Sequence, residues 1–148
     1  MFQYSGPGSQ EVTNRWSDER TLWHKSIANK GYIIACVDGR GTGFKGAAFK
    51  KVTYMNLAKL EAIDQIDSAR KLGELPFVDA ERIGIWGWSF GGLVAAHCLL
   101  TGNHVFSMAI SVAPVTNWRF YDTIYTERFM RTPQENPEGY DLNSPINY

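Results

Sequence analysis

The chain has 148 residues, 44% of them apolar, with 15 basic and 15 acidic side chains and zero net charge. That length bounds it to one domain or part of one, and the charge balance gives no basic run that would suit nucleic acid or an anionic membrane surface. No apolar run reaches a membrane-spanning length of about 18 residues, no signal peptide stands at Met1, and two cysteines make no disulfide framework.

Taken in order, residues 1–4 read as the end of a strand that runs into the turn-rich loop Ser5-Gly6-Pro7-Gly8-Ser9. Such an opening suggests that sequence precedes it. Ser17 is placed to cap a helix over residues 18–30, with Leu22, Trp23 and Ile27 as its apolar face and Gly31 as its stop. His24 lies on that helix and reads as structural or solvent-facing. Residues 32–37, Tyr-Ile-Ile-Ala-Cys-Val, form a continuous apolar run, as a parallel strand buried on both faces would. Cys36 on this run and Cys98 further on read as buried free thiols.

The loop Asp38-Gly39-Arg40-Gly41-Thr42-Gly43-Phe44-Lys45-Gly46 contains a literal G-x-G-x-x-G. A dinucleotide fingerprint needs a helix opening on the glycines and an acidic residue about 20 positions on, at the end of the next strand. Here Glu61 and Asp64 fall inside a helix, so the glycines are read as loop geometry. Asn56 is expected to cap a helix over residues 57–72, with Leu57, Leu60, Ile63, Ile66 and Ala69 as the buried stripe. Its charges, Glu61 and Asp64 among them, read as a solvated face.

Residues 83–96 read as a short apolar strand, a turn with a serine at its tip and a helix rich in small residues. Gly87-Trp88-Ser89-Phe90-Gly91 fits G-x-S-x-G, the nucleophile elbow of α/β-hydrolases. The serine must sit on a strained turn, and a Cβ two residues to either side would crowd the neighbouring strand and helix. The helix N-terminus behind it suits an oxyanion. A plain helix-capping serine on a glycine-rich turn is the bland alternative.

Residues 106–112 are expected as another buried strand. Strand, helix, strand, helix, strand is the α/β pattern with a mostly parallel sheet, and right-handed crossovers place helices on both faces. The strand ends then line up Tyr4, the Asp38 loop, Ser89 and Val115 along one edge. From Pro114 the chain is dense in aromatics, and Trp118, Tyr121 and Tyr125 share one face if the stretch is helical. They read either as core or as the wall of a pocket. Residues 133–148 read as a loop.

A serine nucleophile needs a base within hydrogen-bond reach and a carboxylate to orient that base. In α/β-hydrolases these follow the serine in the chain. Only His97 and His104 follow Ser89. His97 lies eight residues along the elbow helix, about 12 Å away at ~1.5 Å per residue, and His104 precedes the next strand at the opposite sheet edge. The chain therefore carries a nucleophile without a base, as the middle of a hydrolase domain would. No metal and no cofactor is expected.

These pieces resemble the catalytic domain of the prolyl oligopeptidase family of serine peptidases, most closely its dipeptidyl peptidase IV branch. The matching runs are Tyr4-Ser5-Gly6-Pro7-Gly8-Ser9-Gln10, Asp38 to Gly43, Gly87 to Gly92, Ala113-Pro114-Val115-Thr116-Asn117-Trp118, Tyr121-Asp122 and Tyr125-Thr126-Glu127-Arg128. The resemblance implies an α/β-hydrolase fold, incomplete at both ends over residues 1–148, with a β-propeller before Met1 and the catalytic Asp and His after Tyr148. It implies Ser89 as the acylated nucleophile, and Tyr4 with the backbone N–H of Phe90 as the oxyanion hole. Phe90, Val115, Trp118, Tyr121 and Tyr125 would form the pocket for a proline ring. Phe90 stands where a tyrosine is expected in the animal enzymes, a mild change. The implied activity is release of dipeptides ending in proline or alanine from peptide N-termini, the 148 residues alone being inactive. Propeller glutamates would grip the substrate's amino terminus. A homodimer of the intact enzyme, and a periplasmic, secreted or membrane-anchored location, go with the same resemblance. An esterase on the same fold, or a non-catalytic relative acting as a binding protein, are the alternatives.

Overall fold

A computed structural model describes residues 1–16 and 19–148; the expected cap Ser17 and the first helical position, Asp18, lie outside them. Four extended segments lie side by side and parallel. The two regular strands are β1 (Gly84–Trp88) and β2 (Met108–Val112), in register from Gly84 opposite Met108 to Trp88 opposite Val112. On the other side of β1, Phe2 bridges to both Trp86 and Cys36. The spatial order is thus residues 32–37, 1–4, β1, β2. From residues 1–4 the chain moves outward to 32–37 and then crosses back to β1 on the other side. This reversal is a topological switch point, the place where α/β sheets bind ligands.

Helices cover both faces, as expected of the α/β-hydrolase architecture. The elbow helix α4 (Phe90–Thr101) packs on β1 and β2, and α3 (Lys59–Gly73) packs on α4. On the opposite face α1 (Glu19–Ala28) lays Trp23 and His24 against Trp86, with ring centroids 4.9 and 5.9 Å apart. The core lies on the α4 side, where Ile85, Leu93, Val94, Ala95 and Cys98 of the strand and helix meet Ala62, Ile66 and Ala69 of α3.

Several sequence expectations need correction. No residue of α1 is buried, and Leu22 and Trp23 are 59% and 47% exposed. The amphipathic pattern is present, but the described residues pack against only part of it. The apolar run 32–37 makes a single bridge through Cys36, and Tyr32 and Ile33 are exposed. Its neighbour, residues 1–4, meets it only at Phe2, whose N–H donates to the Ala35 carbonyl, so no ladder forms. In β2, Met108, Ile110 and Val112 are exposed rather than buried: they alternate with Ser111, which bonds α4, and so lie on the α1 face beyond the part that α1 covers.

Helix α3 begins at Lys59, after Ala58 in the left-handed region, and Asn56 does not cap it. Its buried face consists of Glu61, Ala62, Gln65, Ile66 and Ala69, while Ile63 is exposed. The buried stripe is therefore turned by about one position from the purely apolar one. Glu61 and Asp64 do not belong to a solvated face: Glu61 is fully buried, and Asp64 holds Arg40 through both carboxylate oxygens at 2.5–3.0 Å.

Residues 133–148 are not a loop either. Asn136 caps α6 (Pro137–Leu142), accepting from the Gly139 N–H, and a single 3-10 turn follows at Pro145–Asn147. Asn136 also donates to the carbonyls of Met55 and Met130, and Tyr140 to that of Arg131. Proline at a first helical position together with a capping Asn was the signal for this helix.

Candidate active site

The site is built where three neighbouring strand ends meet. Each ends in a non-glycine residue with positive φ: Ser5 at 68°, Ser89 at 56° and Ala113 at 43°. Backbone in this region costs of order 1–3 kcal/mol per residue and persists where its surroundings over-determine it. At Ser89 those surroundings are explicit. Its N–H donates to the Val112 carbonyl at 2.8 Å, and its own carbonyl accepts from Leu93 in the first turn of α4. A Cβ at Gly87 would sit 2.5 Å from the Gln3 carbonyl oxygen and 2.7 Å from Gly91. One at Gly91 would meet the same oxygen at 2.5 Å, and one at Gly92 the Val112 oxygen at 2.8 Å. The glycines of the G-x-S-x-G-G run are thus spacing requirements between strand and helix. Ser89 makes no side-chain capping bond, so the bland helix-cap reading has no support in the geometry.

Tyr4 leaves the sheet beside this elbow. Its ring lies over Gly6, where a Cβ would come within 3.0 Å of it, and stands 6.4 Å from the Phe90 ring. Phe90 opens α4 and is buried, and its backbone N–H belongs to a free helix N-terminus. From Phe90 the rings continue to Trp118 at 5.9 Å. Trp118 stacks on Tyr125 at 6.4 Å and 10°, and both meet Tyr121 edge-on. Val115 is buried at the base of this group.

The sequence-predicted residues Ser89, Tyr4, Phe90, Val115, Trp118, Tyr121 and Tyr125 thus come together at one sheet edge. They do so without the continuous helix imagined for the aromatics. Trp118–Phe120 is a 3-10 turn, Tyr121 is extended, and α5 (Thr123–Met130) starts afresh with Asp122 accepting from the Tyr125 N–H at 2.7 Å. The tail holds the segment in place: the Ser144 hydroxyl accepts from the Trp118 N–H at 3.0 Å. Burial raises the Tyr125 phenol far above its usual range, with neighbouring Tyr4 and Tyr121 acting in the same direction.

No histidine is brought into this group. His97 is buried on α4, edge-on to Tyr148, and burial lowers its pKa. His24 lies on the opposite sheet face among Phe2, Trp23 and Trp86, and His104 is in the turn after α4. The cysteines are free. Burial raises both thiols, Cys36 to about 12, so neither offers a thiolate.

The glycine loop after Asp38 is structural. Gly41 has φ 94° and Gly43 packs on the Gly8 carbonyl, where a Cβ would come within 3.1 Å. The Asp38 carboxylate accepts from the N–H groups of Glu11 and Val12, and Lys45 donates to the Asp38 carbonyl. The loop thus braces the segment that carries Tyr4. The helix that follows it is the five-residue α2 (Ala47–Lys51). A concavity of about 320 Å³ on the α1 side, lined by Phe2, Trp16, His24 and Cys36 among others, includes none of the site residues.

What residue types alone did not reveal is the polar layer beneath the site: Gln3, Ser5, Glu61 and Gln65, all buried. Gln3 and Ser5 flank Tyr4 in a strand-end motif, and that adjacency was the available signal.

The chain is 49% identical over 145 residues to probable dipeptidyl-aminopeptidase B of Phaeosphaeria nodorum, covering 97% of this chain and 16% of that protein. It is 50% identical over 138 residues to the protein of the same name in Uncinocarpus reesii, covering 93% and 15%. The crystal structure of Porphyromonas gingivalis dipeptidyl peptidase 4 matches with a TM-score of 0.95 and 54% identity, over 99% of this chain and 20% of that one. The chain spans about a sixth of the length of the curated relatives it matches. The sequence profile described as "Prolyl oligopeptidase family" matches residues 19–148, and the chain belongs to that family.

Proposed function

We propose that this chain is the nucleophile-bearing segment of a serine dipeptidyl peptidase that cleaves after proline, or alanine, near peptide N-termini. The observation that carries the reading is the juxtaposition at one sheet edge of a serine held at φ 56° and an aromatic wall of Phe90, Trp118, Tyr121 and Tyr125. In this reading Ser89 attacks the carbonyl of the scissile peptide bond, and the tetrahedral oxyanion is received by the Tyr4 hydroxyl and the Phe90 N–H. A base takes the hydroxyl proton and, on collapse, delivers it to the departing amine of the remaining peptide, leaving an acyl-enzyme that water then hydrolyses to the free dipeptide and the serine hydroxyl. The aromatic wall takes the proline ring, an apolar body without an N–H, by stacking and exclusion of water.

The base and its orienting carboxylate belong, in this proposal, to residues beyond Tyr148. An N-terminal propeller supplies the groups that hold the substrate's amino terminus. The 148 residues by themselves are then inactive. The test is turnover of Gly-Pro-p-nitroanilide by the full-length protein, its Ser89→Ala variant and the 148-residue segment, with a short acyl ester in parallel. The expected result is turnover of the anilide by the first alone. Turnover by the Ser89→Ala variant, or of the ester without the anilide, overturns the reading.

A further inference from the structure

A buried glutamine is costly unless its amide is hydrogen-bonded, and two of them, Gln3 and Gln65, are 0% exposed beneath the site. Gln3 points from residues 1–4 toward α4 and donates its Nε2 to the Gly91 carbonyl at 2.7 Å, in the first turn behind Ser89. Its Oε1 accepts from the Ser5 hydroxyl at 2.8 Å. The same hydroxyl accepts from Gln65 Nε2 on α3 at 3.4 Å, and that Nε2 also donates to the Val37 carbonyl at 2.9 Å. One chain of polar contacts therefore runs from α3 through Ser5 and Gln3 to the elbow helix. Tyr4 stands between its two middle members. Backbone contact reinforces it, since Gly91 packs directly on the Gln3 carbonyl and the Tyr4 Cα. Ser5, with φ 68°, is the strained residue that turns the chain immediately after Tyr4.

We propose that Gln3, Ser5 and Gln65 are positioning residues that fix the Tyr4 hydroxyl relative to Ser89. The inference rests on the reading of Tyr4 as an oxyanion donor. A preorganised donor acts only if it already lies where charge develops, and small misplacements cost rate more than binding. The clamp links the strand that carries the donor to the helix that follows the nucleophile, so the two move as one body. A methionine at position 3 would keep the side-chain volume, but it would not tie the two sides together.

The test is a double-mutant cycle in the full-length protein. Ser5→Ala removes one hydroxyl, and Gln3→Met keeps the side-chain volume while removing both hydrogen bonds. Each is made alone and combined with Tyr4→Phe. With Gly-Pro-p-nitroanilide, each single variant is expected to lower kcat about three- to tenfold, the equivalent of one neutral hydrogen bond, with KM unchanged within about twofold. In the Tyr4→Phe background the same substitution is expected to cost nothing further, because the group it positions is gone. An equal loss in both backgrounds, a change in KM alone or no change overturns the inference. If Gln3→Met fails to fold, Ser5→Ala decides. Absence of turnover by the unaltered protein overturns the underlying reading together with this one, whereas turnover with an additive cycle overturns this one alone.

Discussion

The two faces of the sheet are covered differently, and the difference explains where the site can be. On the α4 side, strand and helix approach until glycine is the only residue that fits, and Leu93, Val94, Ala95 and Cys98 are buried without exception. On the α1 side no residue of α1 is buried, and Trp88, Met108, Ile110 and Val112 are exposed, as is Trp23. The strained residues Ser5, Ser89 and Ala113 are anchored to the first face, by bonds such as Ser89 N–H to Val112 and Gln3 to Gly91. Strain needs dense packing to hold it. The second face is covered only in part: α1 lays Trp23 and His24 on Trp86 and leaves the apolar side chains around it open.

The largest effect expected from breaking this contrast is at Gly91. Ala there places a methyl group 2.5 Å from the Gln3 carbonyl oxygen and 3.1 Å from the Tyr4 Cα, all backbone. Overpacking that cannot relax lies at or above the ~3 kcal/mol end of such penalties. Gly91→Ala is expected to give little folded protein and no measurable turnover of a Gly-Pro anilide. Normal expression and activity would show that the elbow is looser than described. The next effect compares like with like across the sheet. Leu93→Ala, at a site with 0% exposure, is expected to cost about 2–5 kcal/mol. Leu22→Ala on α1, at 59% exposure, should stay within about 0.5 kcal/mol. Urea denaturation of the full-length protein followed by tryptophan fluorescence measures both. A large cost at Leu22 would mean that the α1 face is covered in solution by something outside these residues.

The fold class and the convergence of the candidate site residues were legible in the sequence for different reasons. Apolar runs, stop signals and the G-x-S-x-G spacing point to strand, elbow and helix, and the structure has β1, Ser89 and α4 where they are expected. The aromatic group was legible as a set, although i, i+3, i+7 spacing gave the wrong local geometry: a 3-10 turn and a separately capped α5 achieve the same convergence. Periodicity does not tell whether a face is covered, which is why Leu22, Ile33 and Ile110 were expected inside. Positive φ at Ser5 and Ala113 carries no sequence mark, because neither is glycine or asparagine. Burial of Glu61 and Gln65 was invisible for a similar reason. Charge and polarity argue for solvent, and tertiary contacts reverse that: Gly41 lies over Glu61, and Gln65 donates to the Val37 carbonyl.

Glu61 offers the smallest and most specific test of that reversal. Its carboxylate is buried beneath the loop of Gly39–Gly43, where a Cβ at Gly41 would lie 3.2 Å from one of its oxygens. Burial pushes its pKa up to about 8, with the Asp64 charge adding to the rise, against an opposing pull from nearby backbone N–H groups and Thr53. The folded state thus holds a proton that the unfolded chain, with an ordinary glutamate near 4.5, releases. Between those two values the folded protein binds more protons, so stability is complete below about pH 4.5 and declines as pH rises toward about 8. Glu61→Gln keeps the shape and removes the titration. Its melting temperature should therefore exceed that of the unaltered protein by a few degrees at pH 9 and match or fall below it at pH 4.5. Parallel melting curves at both pH values would mean that Glu61 is ionised and solvated, and that α3 presents a charged face after all. Crossing curves would place a neutral glutamic acid under the loop that braces Tyr4, on the packed side of the sheet.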